Sequence, residues 1–221
     1  MLARAKLLLA SANPGKLREY RALAGGEAPT IELELLPNLE QLPRFDESAL
    51  TFAENAAGKA LHYSRFVDLA VMADDSGLVV PALGGAPGVQ SARYAGPGAS
   101  DADRIQKLLA ELRSKSVTDR RARFVCVIAL AERGRVLAVL SDFAAGELLE
   151  APRGGEGFGY DPIFFFPALG KTYAEISREE KNLYSHRGKA FRKLIAFVGS
   201  PGALAPLART VTSGPRRRRG R

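Results

Sequence analysis

The apolar positions of this chain fall into short runs and helical stripes that follow one another in a readable order. Residues 6–10 form a brief apolar run that predicts a β-strand, and Leu17, Tyr20 and Leu23 behind it recur on one face of a helix. Residues 31–36 alternate apolar with acidic side chains, the pattern of an edge or half-exposed strand. Thr51-Phe52-Ala53-Glu54 reads as a capping box. It opens a helix to about residue 66, with Phe52, Ala56, Ala60 and Tyr63 as its stripe. Ser100 or Asp101 caps a further helix carrying Ile105, Leu108, Leu109 and Leu112. Residues 123–131 and 135–143 are strand-like runs around Glu132-Arg133-Gly134, which predicts a hairpin. A buried strand is expected at 163–166. Ser177 then caps a helix, and a last amphipathic helix presents Phe191, Leu194, Phe197 and Val198. Strands and helices alternate in the first half and a hairpin interrupts them in the second. The expected fold class is therefore α/β, a mixed sheet with flanking helices and two lobes around a central cleft.

Against that pattern, residues 71–80 are the anomaly. An apolar run meets Asp74-Asp75-Ser76-Gly77 and then resumes at Leu78. Asp, Ser and Gly are ordinary turn residues, so a tight turn between two strands is one reading. The other is a strand end that holds two carboxylates away from solvent, where like charges are costly unless a cation or proton is shared. Mg²⁺ takes one or two carboxylates and leaves its remaining positions to water and substrate phosphates.

Four more stretches carry candidate chemistry. Ser11-Ala12-Asn13-Pro14-Gly15-Lys16 lies between a strand and a helix, where backbone N–H groups and the positive dipole end face an anion. It lacks Walker A spacing, and it reads equally as a helix N-terminus that caps itself. Four glycines interleave with Glu156, Phe158 and Tyr160 before Asp161 and Pro162, a loop that lets backbone approach closely and offers rings for stacking on a heterocycle. His186 lies beside Arg187 and downstream of Lys181; it reads as a cap or surface residue, or as part of an anion or base pocket. Asp46, Glu47 and Glu54 stand at the start of their helix, either complementing its dipole or serving a metal.

Composition changes little: 46% hydrophobic and 25% charged residues describe an ordinary globular chain. The formal charge is +8, but five of those charges belong to Arg216, Arg217, Arg218, Arg219 and Arg221. We expect one α/β domain over residues 1–200 and a basic tail over 201–221, disordered from about 213. The tail offers phosphate attraction without a fold, so nucleic acid contact is possible there but no functional partner is expected. Cys126 is the only cysteine, so an intrachain disulfide is excluded. The N-terminal apolar segment is shorter than a signal core, and no run approaches the ~20 apolar residues of a membrane span, so no membrane partner and a cytoplasmic location are expected.

Seven motifs in one order bring these stretches together: Ser11-x-Asn13-x-x-Lys16, Phe52-x-Glu54-Asn55, residues 73–78, Leu83-Gly84-Gly85-Ala86-Pro87-Gly88, Ser91-Ala92-Arg93-Tyr94, residues 157–162 and Ser185-His186-Arg187. Together they resemble the inosine triphosphate pyrophosphatase (HAM1-like, RdgB-type) family over about residues 6–198. Ala49 and Gln90 depart from that pattern, where a glycine and an aromatic are usual. The resemblance implies an elongated α/β fold with a nucleotide-binding cleft, a homodimer, and Mg²⁺-dependent hydrolysis of ITP, dITP and XTP to the monophosphate and pyrophosphate. It implies Asp75 as general base and metal contact; Glu47 is taken as the second metal contact, with Asp46 and Asp74 as the alternatives. Substrate contacts are implied for Ser11, Ala12, Asn13, Pro14, Gly15, Lys16, Ser76, Phe158, Gly159, Tyr160, Asp161, Lys181, His186 and Arg187. A free aspartate is a feeble base for bulk water, whereas a water polarised by Mg²⁺ gives up its proton more readily. Two other classes compete: a Maf-like pyrophosphatase acting on pyrimidine or methylated bases, and a nucleic-acid-binding protein for which only the tail speaks.

Overall fold

The computed structural model describes residues 5–27 and 31–204. Seven strands form one sheet in the order β2-β1-β3-β4-β5-β6-β7. Strand β1 (Ala5–Leu9) runs parallel to both β2 (Ile31–Leu35) and β3 (Ala70–Val79). From β3 onward each neighbour is antiparallel: β4 (Arg121–Glu132), β5 (Arg135–Leu148), β6 (Phe164–Phe166) and β7 (Lys171–Thr172). Five helices flank it: α1 (Pro14–Glu27), α2 (Phe52–Tyr63), α3 (Asp101–Ser114), α4 (Arg178–Tyr184) and α5 (His186–Val198). The mixed α/β sheet expected from the pattern is present. It is continuous from β2 to β7, so the expected division into two lobes is not drawn by the sheet itself.

The central strands read as unbroken apolar runs because both of their faces are covered. Leu7, Leu9, Met72, Cys126, Ile128 and Leu130 meet Tyr20 and Leu23 of α1 and Phe191 and Leu194 of α5. The intervening Leu8, Val71, Ala73, Val127 and Ala129 meet Ala56, Ala60 and Tyr63 of α2 on the other face. A third cluster joins Leu78 and Phe124 to Ile105, Leu108, Leu109 and Leu112 of α3.

Three expectations need correction. No turn interrupts residues 71–80: Asp74, Asp75, Ser76 and Gly77 pair in register with Ile128, Val127, Cys126 and Val125 of β4. Turn-type residues stay extended here because an adjacent strand satisfies their backbone and their side chains have partners. The helix expected to reach residue 66 ends at Tyr63, where Ser64 turns its hydroxyl back to the Leu61 carbonyl. The strand expected at 163–166 begins at Phe164, after a 3₁₀ turn over Asp161–Ile163. Of the tail expected over 201–221, only residues 201–204 are described, and Leu204 packs against the α1–α5 cluster. The tail's basic segment lies outside the described residues. Among those described, no helix is long and apolar enough to cross a membrane.

Candidate active site

Two-residue periodicity sends Asp74 and Asp75 to opposite faces of β3. Asp74 points with Met72 toward α1 and α5, and Asp75 points with Ala73 toward α2. The two like charges are therefore not a shared pair, and each has its own surroundings. Asp74 is fully buried, with Lys16 Nζ 2.8 Å from Oδ2 and Arg187 Nε 4.0 Å away. Burial opposes its charge, but Lys16, Arg187 and Lys59 outweigh it and hold its carboxyl below the usual carboxylate range. Asp75 accepts 2.9 Å hydrogen bonds from Asn55 Nδ2 of α2 and from the Ser76 N–H. Among the described residues it forms no ion pair. Burial, with Glu47 adding a like charge, raises its pKa, so Asp75 is a stronger base than an ordinary aspartate.

Both faces open on one cleft of about 780 Å³, a size common for small-molecule sites. Its lining includes Ser11, Ala12, Asn13, Lys16, Glu47, Lys59, Asp75, Ser76, Phe158, Gly159, Tyr160, Asp161, Lys181, His186 and Arg187. The expected site residues thus converge from five separate segments. Pro14 and Gly15 are not in that lining. Gly15 instead backs the Phe158 ring, where a Cβ would lie 2.7 Å from ring carbons. Asn13 caps α1, its side-chain oxygen accepting from the Lys16 N–H at 3.1 Å. The self-capping reading of this loop is therefore met, while its lysine is directed at Asp74.

Glu19 is the anchor of the opposite wall. It is buried and accepts from Lys181 Nζ at 2.6 Å and from Arg187. Lys181 also reaches Asp161 Oδ2 at 2.5 Å, and that oxygen accepts the Phe158 N–H at 2.8 Å. Gly157 sits at φ 79° with its Cα so close to this carboxylate that a Cβ would fall 2.1 Å from Oδ2. Lys181 Nζ and the Arg187 guanidinium lie 5.0 and 5.5 Å from the Phe158 ring centroid. Arg187 also donates to Ser76 Oγ at 3.0 Å. His186 stacks on Phe124 at 4.8 Å with the rings 10° apart, and its Nδ1 is buried without a partner. Burial, then the charges of Arg187 and Lys181, push its pKa well below the ordinary value, so the ring is neutral. It is a pocket wall rather than a surface residue.

Glu47 lies on the Asp75 side, with Lys59 Nζ 2.6 Å from its carboxylate. Among the described residues, no three or more His, Cys, Asp or Glu side chains form a metal-holding group. Asp75 and Glu47 nonetheless suit a hard divalent ion that takes few protein carboxylates. Every inner cation already faces a carboxylate: Lys16 has Asp74, Lys59 has Glu47, and Lys181 and Arg187 have Glu19. Among the described buried carboxylates of the cleft, Asp75 alone forms no ion pair. Sequence reasoning did not single out Glu19 or Lys59. The signal was there: each is a charge on the apolar face of its helix, beside Tyr20 and Ala60 respectively. Of the two departures from the family pattern, Ala49 exchanges backbone hydrogen bonds with Asn55, and Gln90 accepts from Arg93 Nε at 2.5 Å.

Residues 7–197 match the model of the Ham1 family. The chain is 49% identical over 189 residues to the dITP/XTP pyrophosphatase of Geobacillus kaustophilus, spanning 86% of this chain and 92% of that protein. It is 48% identical over 203 residues to the enzyme of the same name from Burkholderia pseudomallei, covering 89% and 95%. Among solved structures, the HAM1 protein of Coxiella burnetii superposes with a TM-score of 0.77 at 43% identity, over 87% of this chain and 97% of that one. The Staphylococcus aureus Ham1 protein gives 0.76 at 40% identity, with the same coverage. From its first strand to its last helix, the chain belongs to the Ham1 family.

Proposed function

We propose that this protein hydrolyses non-standard purine nucleoside triphosphates (dITP, XTP and ITP) to the monophosphate and pyrophosphate. The observation that carries the reading is Asp75, an unpaired carboxylate of raised basicity facing the cleft. The names of the relatives, dITP/XTP pyrophosphatase, give the substrate class. Ser11, Ala12, Asn13 and Lys16 would take the phosphates, and Asp75 would remove the proton of the water that attacks the α-phosphorus. Asn55 and the Ser76 N–H hold the carboxylate so that it need not reorient. Mg²⁺ bound to Asp75 and Glu47 would supply positive charge against the polyphosphate.

Base selection follows from donor inventory. Lys181 and Arg187 carry only donors, and Glu19 and Asp161 fix where they point. A 6-oxo group accepts from them, whereas the 6-amino group of adenine presents a donor to donors. Sites that leave buried hydrogen-bonding groups unpaired reject the wrong substrate by up to ~10⁴–10⁵. The Phe158 ring would stack on the base. We read the active form as a cytoplasmic homodimer, and sedimentation of the purified chain at twice the monomer mass is the expected result for the assembly.

The test is pyrophosphate release from dITP, XTP, ITP, ATP, GTP and dTTP in parallel, with Mg²⁺ and with EDTA. Fast, metal-dependent release from the first three with ATP and dTTP spared is expected; GTP shares the 6-oxo group, so its rate reports whether the pocket reads the 2-position as well. Preference for dTTP would move the protein to the pyrimidine-directed class, and equal rates on all six would remove base selection.

A further inference from the structure

The loop over residues 154–162 carries Phe158 and Asp161, and two bonds tie it across the cleft to Ser91 and Asp101, neither of them among the expected site residues. The Gly159 N–H donates to Asp101 Oδ2 at 2.7 Å, and the Tyr160 hydroxyl donates to the Ser91 carbonyl at 3.0 Å. Asp101 is the first residue of α3 and lines the cleft. Its other carboxylate oxygen is taken by Arg104. That guanidinium also donates to the carbonyls of Ala92 and Ala99 at 2.8 and 2.7 Å, so it staples the chain leading into α3.

Helix capping does not account for Asp101. Ser100 and Asp103 already complete the capping box, with Asp103 Oδ2 accepting from the Ser100 N–H at 2.8 Å. The Asp101 carboxylate is thus spare to α3, and it is aimed at the one N–H between Phe158 and Tyr160. Gly159 sits at φ 65°, a conformation that a glycine adopts freely and leaves as freely. Asp161 holds the Phe158 N–H from within the loop, and Asp101 holds the next N–H from outside it. A charge-assisted bond to a backbone N–H is among the stronger single hydrogen bonds available.

We propose that Asp101 is a positioning residue for base recognition: by holding the Gly159 N–H it fixes the Phe158 ring against Gly15 and within reach of the Lys181–Arg187 pair. The inference rests on the nucleotide reading above and extends it to a residue outside the base pocket. Its effect falls on the base end of the substrate and spares the polyphosphate end, which meets Ser11, Ala12, Asn13 and Lys16.

The experiment compares Asp101→Ala and Asp101→Asn with the wild-type chain by kinetics on dITP and XTP. Competition by inorganic tripolyphosphate and hydrogen exchange at the Gly159 amide are measured on the same proteins. Asp101→Ala is expected to raise KM about tenfold with kcat within about threefold. The inhibition constant of tripolyphosphate should be unchanged and Gly159 exchange faster. Asp101→Asn keeps an acceptor oxygen and should recover most of the KM. An unchanged KM in Asp101→Ala, tripolyphosphate inhibition weakened in step with KM, or equal losses in the two variants would each overturn the proposal. If the wild-type chain does not turn over dITP or XTP, the nucleotide reading itself fails. Gly159 exchange then still decides the clamp, since slow exchange that persists in both variants rules it out.

Discussion

Asp75→Asn separates chemistry from architecture at a single residue. Asparagine keeps one oxygen to accept from Asn55 and turns its NH2 to the Ser76 N–H, so the fold should persist at a small cost in stability while kcat falls by at least ~10². Near-normal turnover would remove Asp75 from the base role. The pH profile carries a second signature. The working form is the carboxylate, and burial raises its pKa above the usual 3.8. Activity should therefore fall as pH drops, with its half-point above that of an ordinary aspartate; a kcat/KM flat down to pH ~4 would contradict this. Neighbouring Asp74 behaves oppositely because its charge is wanted in the fold. Its low pKa stabilises the native state above the unfolded pKa, and that contribution is lost as pH falls through the folded value.

At the scale of elements, each site residue owes its place to an element that is stable for other reasons. Asn55 and Lys59 stand one turn apart on α2, which starts where Thr51 Oγ1 accepts from the Glu54 N–H at 3.2 Å and donates to Glu54 at 2.7 Å. Thr51→Ala should cost about 1 kcal/mol in urea unfolding with kcat little changed. A large loss of kcat at unchanged stability would mean that Thr51 acts on the site directly. The β4–β5 hairpin closes on Arg133 and Gly134, both at positive φ. It had a clear signature in the sequence. The Asp-Asp-Ser-Gly stretch did not, because its residue types are those of a turn while β4 holds it extended.

The whole molecule encloses an unusual amount of charge. Asp74, Lys181, His186 and Arg187 are each at most 4% exposed, and Glu19 and Asp161 are buried with them. Removing one partner of such a network leaves a charge uncompensated, typically at 3–5 kcal/mol. Stability should also depend on pH through His186. Its neutral ring is favoured in the fold, so its stabilising contribution is complete above the unfolded pKa of about 6.5 and is lost progressively below it. His186→Gln, which cannot titrate there, should flatten the decline in unfolding free energy between pH 6.5 and 5. A decline as steep as in the wild type would place the titration elsewhere.

Local patterning determined the helices, the hairpin, the α/β class and most of the segments that line the cleft, because those follow from periodicity, caps and turn residues within a few positions. The ordered motifs were enough to point to the family. Only the tertiary structure decided which carboxylate is structural and which is free. That follows from strand pairing, which turns Asp74 toward Lys16 and Arg187 and Asp75 toward Asn55. Glu19, Lys59 and Asp101 likewise took their roles from distant chain. Glu19 meets Lys181 and Arg187 across more than 160 residues, a separation at which no local pattern can speak.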